Sequence, residues 1–78
     1  MESKKNYVLD LRGIIAPVTF LKLTQLLNTM RPGETLEILG KDPDTRTQLS
    51  QVLHTFNYQL LDTKEEGSFY RISLMKEN

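Results

Sequence analysis

Seventy-eight residues with no cysteine and one histidine make one small domain held by ordinary packing, with neither a disulfide nor a Cys/His metal cluster to staple it. A hydrophobic share of 38% beside 26% charged residues suits a globular chain rather than a disordered one. Ten Lys+Arg cancel ten Asp+Glu, which argues against nucleic acid as the partner, since non-specific affinity comes from clustered cations on phosphates.

No apolar run approaches the roughly 18 residues that span a membrane. The segment Met1-Glu2-Ser3-Lys4-Lys5-Asn6 lacks the apolar stretch of a secretory signal. The expected location is the cytoplasm.

In chain order, Tyr7-Val8-Leu9-Asp10-Leu11 alternates and predicts a strand with Tyr7, Leu9 and Leu11 on one face. Gly13 breaks the pattern as a turn requires. Pro17 suits the first helical position, where its missing N–H costs nothing. Phe20, Leu23, Leu27 and Met30 then recur at spacings of three and four, with Leu26 widening the stripe, and predict an amphipathic helix that Pro32-Gly33 ends. Glu34 to Leu39 read as a second strand with Leu36 and Ile38 on one face. Asp42-Pro43 reads as an N-cap followed by proline at N1, opening a second helix that buries Leu49, Val52, Leu53 and Phe56. Asn57 is suited to the left-handed residue after that helix. Tyr58 to Thr63 and Ser68 to Met75 complete the strands, joined by Lys64-Glu65-Glu66-Gly67 as a hairpin loop.

The order is βαβαββ. Two helices cannot cover both faces of four strands, so the expected architecture is α+β: a two-layer α/β sandwich, a four-stranded mixed sheet with both helices on one face. The other face is left to water or to a partner. Phe69, Leu61 and Val8 are candidates to point that way, and a contiguous apolar patch of the three would mark self-association or a protein partner.

Between the first strand and the first helix the chain reads Asp10-Leu11-Arg12-Gly13-Ile14-Ile15-Ala16-Pro17. This resembles the Asp-x-x-Gly-x-x-Cys-Pro-x-Pro signature of the TusA/SirA/YedF family of small sulfur-carrier proteins. Further on, Met30-Arg31-Pro32-Gly33-Glu34-Thr35-Leu36, Asp42-Pro43 and Gly67-x-x-Tyr70-Arg71 resemble the family's pattern in order and spacing, so the likeness runs from Tyr7 to Lys76. It implies the same two-layer fold. In the family the signature cysteine carries a persulfide sulfur, at a helix N-terminus whose dipole and free N–H groups favour an anion. Here the positions Asp10, Gly13 and Pro17 are kept, but Ala16 stands for the cysteine and Thr19 for the second proline. A methyl group cannot hold a sulfane sulfur. The resemblance therefore implies a non-catalytic relative that binds a protein partner, one of a sulfur-relay pathway or a regulatory route, with no cofactor of its own. Arg12 and the Thr19 hydroxyl are the candidates to dock an anion or a partner's acidic group at the helix end; against this stands a turn kept for structure alone.

Two other readings compete. One is a sulfur carrier whose cysteine has been replaced for study, which the natural coding sequence would decide. The other is an RNA-binding module, by fold analogy with the C-terminal domain of a bacterial translation initiation factor; the neutral charge and the lack of an aromatic-basic stripe count against it. His54 has no metal-ligand spacing around it and reads as structural. Asp10 reads as a turn-holding carboxylate, and Asp42 and Asp44 as a cap and a first-turn acid. No nucleophile constellation, phosphate loop or metal motif is visible.

Overall fold

The computed structural model describes residues 4–13 and 16–78, the side chains of Ala16, Pro17 and Thr19 excepted; Ile14 and Ile15 of the motif lie outside the described residues. The elements are β1 (Asn6–Asp10), α1 (Ala16–Thr29), β2 (Thr35–Gly40), α2 (Pro43–Leu53), β3 (Tyr58–Glu66) and β4 (Phe69–Lys76). They form one four-stranded sheet of order β1-β2-β4-β3. β1 and β2 run parallel, joined through α1. β4 is antiparallel to both of its neighbours, β2 and β3. α2 thus carries the chain from β2 to the far edge, and a hairpin brings β4 back into the gap. This is the α+β, two-layer arrangement that the pattern of elements predicts.

Period-two alternation builds the sheet's inner face. Leu36, Ile38, Tyr70, Ile72 and Leu74 are buried against Leu23, Leu27, Met30, Leu49, Val52 and Leu53 from the helical segments, with Tyr7, Leu9 and Leu26 packed at the margin. Leu11 continues the β1 pattern past the strand's end and is buried, its N–H bonded to the Leu39 carbonyl at 2.8 Å. Phe20 departs from expectation. It lies on the same stripe as Leu27 yet is 46% exposed, as is its neighbour Leu21 at 56%. Helical periodicity fixes the direction of a side chain and says nothing of where the layer beneath it ends.

Two polar devices tie the far end of the sandwich. Glu34 is buried and accepts backbone N–H groups from Arg31 at 2.7 Å and Lys5 at 3.0 Å, and those bonds, that of Arg31 foremost, hold its carboxyl below the usual range. Lys76, at the end of β4, donates to the carbonyls of Leu27 and Met30, satisfying the orphan acceptors at the C-terminus of α1.

Three local expectations are corrected. Asp42 occupies the N-cap position with extended backbone, but its side chain makes no cap bond. Asn57 does not take a left-handed conformation, for no described non-glycine residue has positive φ; α2 instead closes through Thr55 and Phe56, whose N–H groups bond Val52 and Leu53 carbonyls at 3.0 Å. The hairpin is tighter than the Lys-Glu-Glu-Gly loop suggested. β3 continues to Glu66, and only Gly67-Ser68 turn, with Gly67 at φ 66. A glycine with positive φ at the first turn position is what a two-residue hairpin needs. Lys64, Glu65 and Glu66 look like loop residues because they are charged, but an edge strand tolerates charge on its solvent side.

Candidate functional site

The motif loop sits where β1 ends and α1 begins. Asp10 closes β1, and Gly13 takes φ 79, a left-handed turn open to glycine at no steric cost. Asp10 Oδ1 accepts both the backbone N–H of Arg12 at 3.0 Å and Arg12 Nε at 2.9 Å, while Oδ2 accepts Arg12 Nη2 at 2.8 Å. One carboxylate therefore holds the turn and forks the guanidinium at once. The guanidinium carbon lies 4.7 Å from the centroid of Phe69, at the start of β4, in a cation–π stack. Asp10, Arg12 and Phe69 thus join the motif loop to a strand with which β1 does not pair.

Beside this cluster Arg71 donates to Glu37 and lies 3.0 Å, through Nε, from Glu66 Oε1, with Nη2 at 3.2 Å from Oε2. Glu37 and Arg71 are diagonal neighbours on the solvent face of β2 and β4, so the open face carries interlocked ion pairs rather than an apolar sheet. Sequence reasoning passed over this network. Its only signal is that Glu37 and Arg71 fall at outward positions of alternating strands, and their pairing needs the strand order, which alternation cannot supply.

The structure brings the expected site residues together in part. Asp10, Arg12 and Gly13 form the loop, and Ala16 opens α1 with Pro17 next to it. Thr19 falls within the helix, its side chain outside the described residues. Of the three proposed outward apolar residues, Val8 and Leu61 line one shallow groove of about 320 Å³ with Asn6, Thr35, Glu37 and Ser73, whereas Phe69 lies apart beneath Arg12. His54 is exposed just past the last turn of α2. Asp42 and Asp44 are both exposed at the start of α2. Among the described residues no group of three or more His, Cys, Asp or Glu side chains is placed to hold a metal ion. No helix among them is long and apolar enough to cross a membrane.

The electrostatics give a test. The Arg12 side-chain hydrogen bond, then its backbone N–H, lower the Asp10 carboxyl from an ordinary value of 3.8 to about 2. A carboxyl lowered in the folded state stabilises above the unfolded value of 3.8 and loses that contribution as pH falls towards about 2. The pair is solvent-exposed, so the stability effect is small. The direct readout is the carboxyl carbon of Asp10 by NMR. Its midpoint is expected at about 2, moving up towards 3.8 in Arg12→Gln without reaching it, because the backbone bond remains. An unshifted wild-type midpoint would contradict the fork.

Comparison with known proteins places these features in a family. Residues 7–76 match the family model described as sulfurtransferase TusA. The chain is 30% identical over 71 residues to the sulfur carrier protein TusA of Buchnera aphidicola, covering 91% of this chain and 90% of that one. It is 26% identical over 68 residues to the sulfur carrier protein TusA of Allochromatium vinosum, covering 87% and 90%. In structure it resembles a SirA-like protein from Desulfitobacterium hafniense, with a TM-score of 0.71 at 12% identity over 92% of this chain and 99% of that one, a likeness of fold.

Proposed function

Since the chain belongs to the TusA family, we propose that it is a non-catalytic member of it, a protein-binding or regulatory module that docks on a component of a sulfur-relay route in the cytoplasm without carrying sulfur itself. The observation that carries this reading is Ala16 at the opening of α1, where the family signature has its cysteine, in a sequence that contains no cysteine. Persulfide chemistry needs a sulfur nucleophile stabilised as the anion, and a methyl group supplies none. What the site retains favours contact with a partner. The Arg12 guanidinium, forked by Asp10, lies over the Phe69 ring, and the first turns of α1 expose Phe20 and Leu21. An arginine on an aromatic ring and exposed apolar side chains are the residue types enriched in protein interfaces.

The test uses a purified cysteine desulfurase from the same organism, charged with radiolabelled cysteine sulfur. The expected result is saturable binding of the wild-type protein by calorimetry, weakened by roughly tenfold or more in Arg12→Ala, with no label transferred. Absence of binding to the desulfurase and to the other relay proteins of that organism sinks the proposal. So would sulfane sulfur found on the wild-type chain.

A further inference from the structure

We propose that a second copy of this chain pairs with the outer edge of β3, the two strands running antiparallel about a two-fold axis at Thr63 to give one continuous eight-stranded sheet. β3 is the edge strand furthest from the motif loop's β1, and every residue from Gln59 to Glu65 is exposed. Its hydrogen-bonding parity follows from the hairpin. Glu66 and Phe69 flank the two-residue turn and exchange both of their hydrogen bonds, so Lys64 and Asp62 also face β4, while Thr63 and Glu65 turn N–H and C=O outward. An independent contact agrees: the Thr63 N–H bonds the neighbouring Asp62 Oδ1 at 2.9 Å instead of entering the ladder.

Charge selects the register. Asp62 and Lys64 sit opposite Ser73 and Arg71, so both side chains lie on the open face of the sheet. With the axis at Thr63, each Asp62 falls directly opposite the partner's Lys64, twice by symmetry, and Thr63 exchanges both backbone hydrogen bonds with its symmetry mate. Moving the axis one residue either way sets Asp62 against Asp62, or Lys64 against Lys64. Moving it to Glu65 sets that residue against itself. Like charges directly opposite disfavour each of these alternatives. In the single chain Lys64 Nζ lies 3.8 Å from Asp62 Oδ2, so both charges have a weak local partner to exchange for a cross-strand one. The extra residue at Leu61, where the β3–β4 register shifts before pairing resumes at Leu60, breaks the regular parity of the outer edge and centres the interface on the stretch that follows it. An interface this short is weak and concentration-dependent.

Sedimentation equilibrium tests the proposal directly. The wild type is expected to pass from monomer to dimer between about 10 μM and about 1 mM. Asp62→Lys and Lys64→Asp each place like charges across both sites and should weaken association by at least ~10-fold. The double exchange Asp62→Lys/Lys64→Asp recreates the complementarity in reverse and should restore association to within roughly threefold of wild type. All these positions are exposed, and the double variant guards against a misfolding artefact. A wild type that stays monomeric through about 1 mM, or single variants that associate as tightly as wild type, would overturn it.

Discussion

Leu27→Ala is expected to cost about 2–5 kcal/mol, while Phe20→Ala, seven residues earlier on the same helical stripe, changes stability by less than about 1 kcal/mol. The two positions are equivalent by periodicity alone. In the fold Leu27 is fully buried, whereas Phe20 is 46% exposed. Truncating Leu27 removes its transfer free energy and leaves a cavity walled by the sheet, because close-packed neighbours relax only in part. At roughly 0.05–0.15 kcal/mol per residue, a domain of this size has about 4–12 kcal/mol in total, so the variant sits near the edge of folding. Urea denaturation followed by circular dichroism should show a midpoint lower by about 1–3 M for Leu27→Ala and nearly unmoved for Phe20→Ala. Equal losses at the two sites would mean that the first turns of α1 are packed. That outcome would also remove Phe20 from the surface offered to a partner.

The same pair shows what was legible in the residues. Alternation in β1, β2 and β4 and the three-four spacing of α1 and α2 named nearly the whole core, since each pattern states which way a side chain points. Thr45, buried in the first turn of α2, and the Glu34 carboxylate were passed over because polar residues are counted outside unless a partner is visible. The Glu34 partners are backbone N–H groups, that of Arg31 three residues back and that of Lys5 across 29 positions, and no pattern of residue types announces them. The strand order was equally silent. Nothing local says that β4 lies between β2 and β3, and without that order neither the Arg71–Glu37 pair nor the Arg12–Phe69 stack can be read. The motif loop was legible as a pattern of residue types, and its Asp10 carboxylate holds the backbone N–H of Arg12. That the same carboxylate also captures the Arg12 side chain was not anticipated, and it changes the chemistry. Arg12 is offered to a partner as a neutralised, stacked surface rather than as an unpaired cation.

Gly40→Ala should be destabilising, by about 1–3 kcal/mol, although a glycine-to-alanine change in a strand would ordinarily stabilise by reducing unfolded-state entropy. Gly40 ends β2 opposite Tyr70, and its backbone needs no positive φ, so conformation is not the obstacle. Space is. A Cβ there would meet the Tyr70 ring closer than real Cβ atoms approach any neighbour. The ring cannot swing aside freely: Tyr70 is buried, its hydroxyl donates to the Asp42 carbonyl at 3.0 Å, and the Arg46 guanidinium lies 5.1 Å from its centroid. Moving it would break the bond that ties β4 to the start of α2 and would disturb Phe69, the preceding residue, beneath Arg12. A double-mutant cycle separates the steric cause from any other. In a Tyr70→Leu background the ring is gone, and Gly40→Ala should become neutral or mildly stabilising, giving a coupling of about 1–3 kcal/mol between the two sites. The same penalty in both backgrounds would place the strain in the backbone at the end of β2 and would sever the steric link from Gly40 to the Arg12–Phe69 surface.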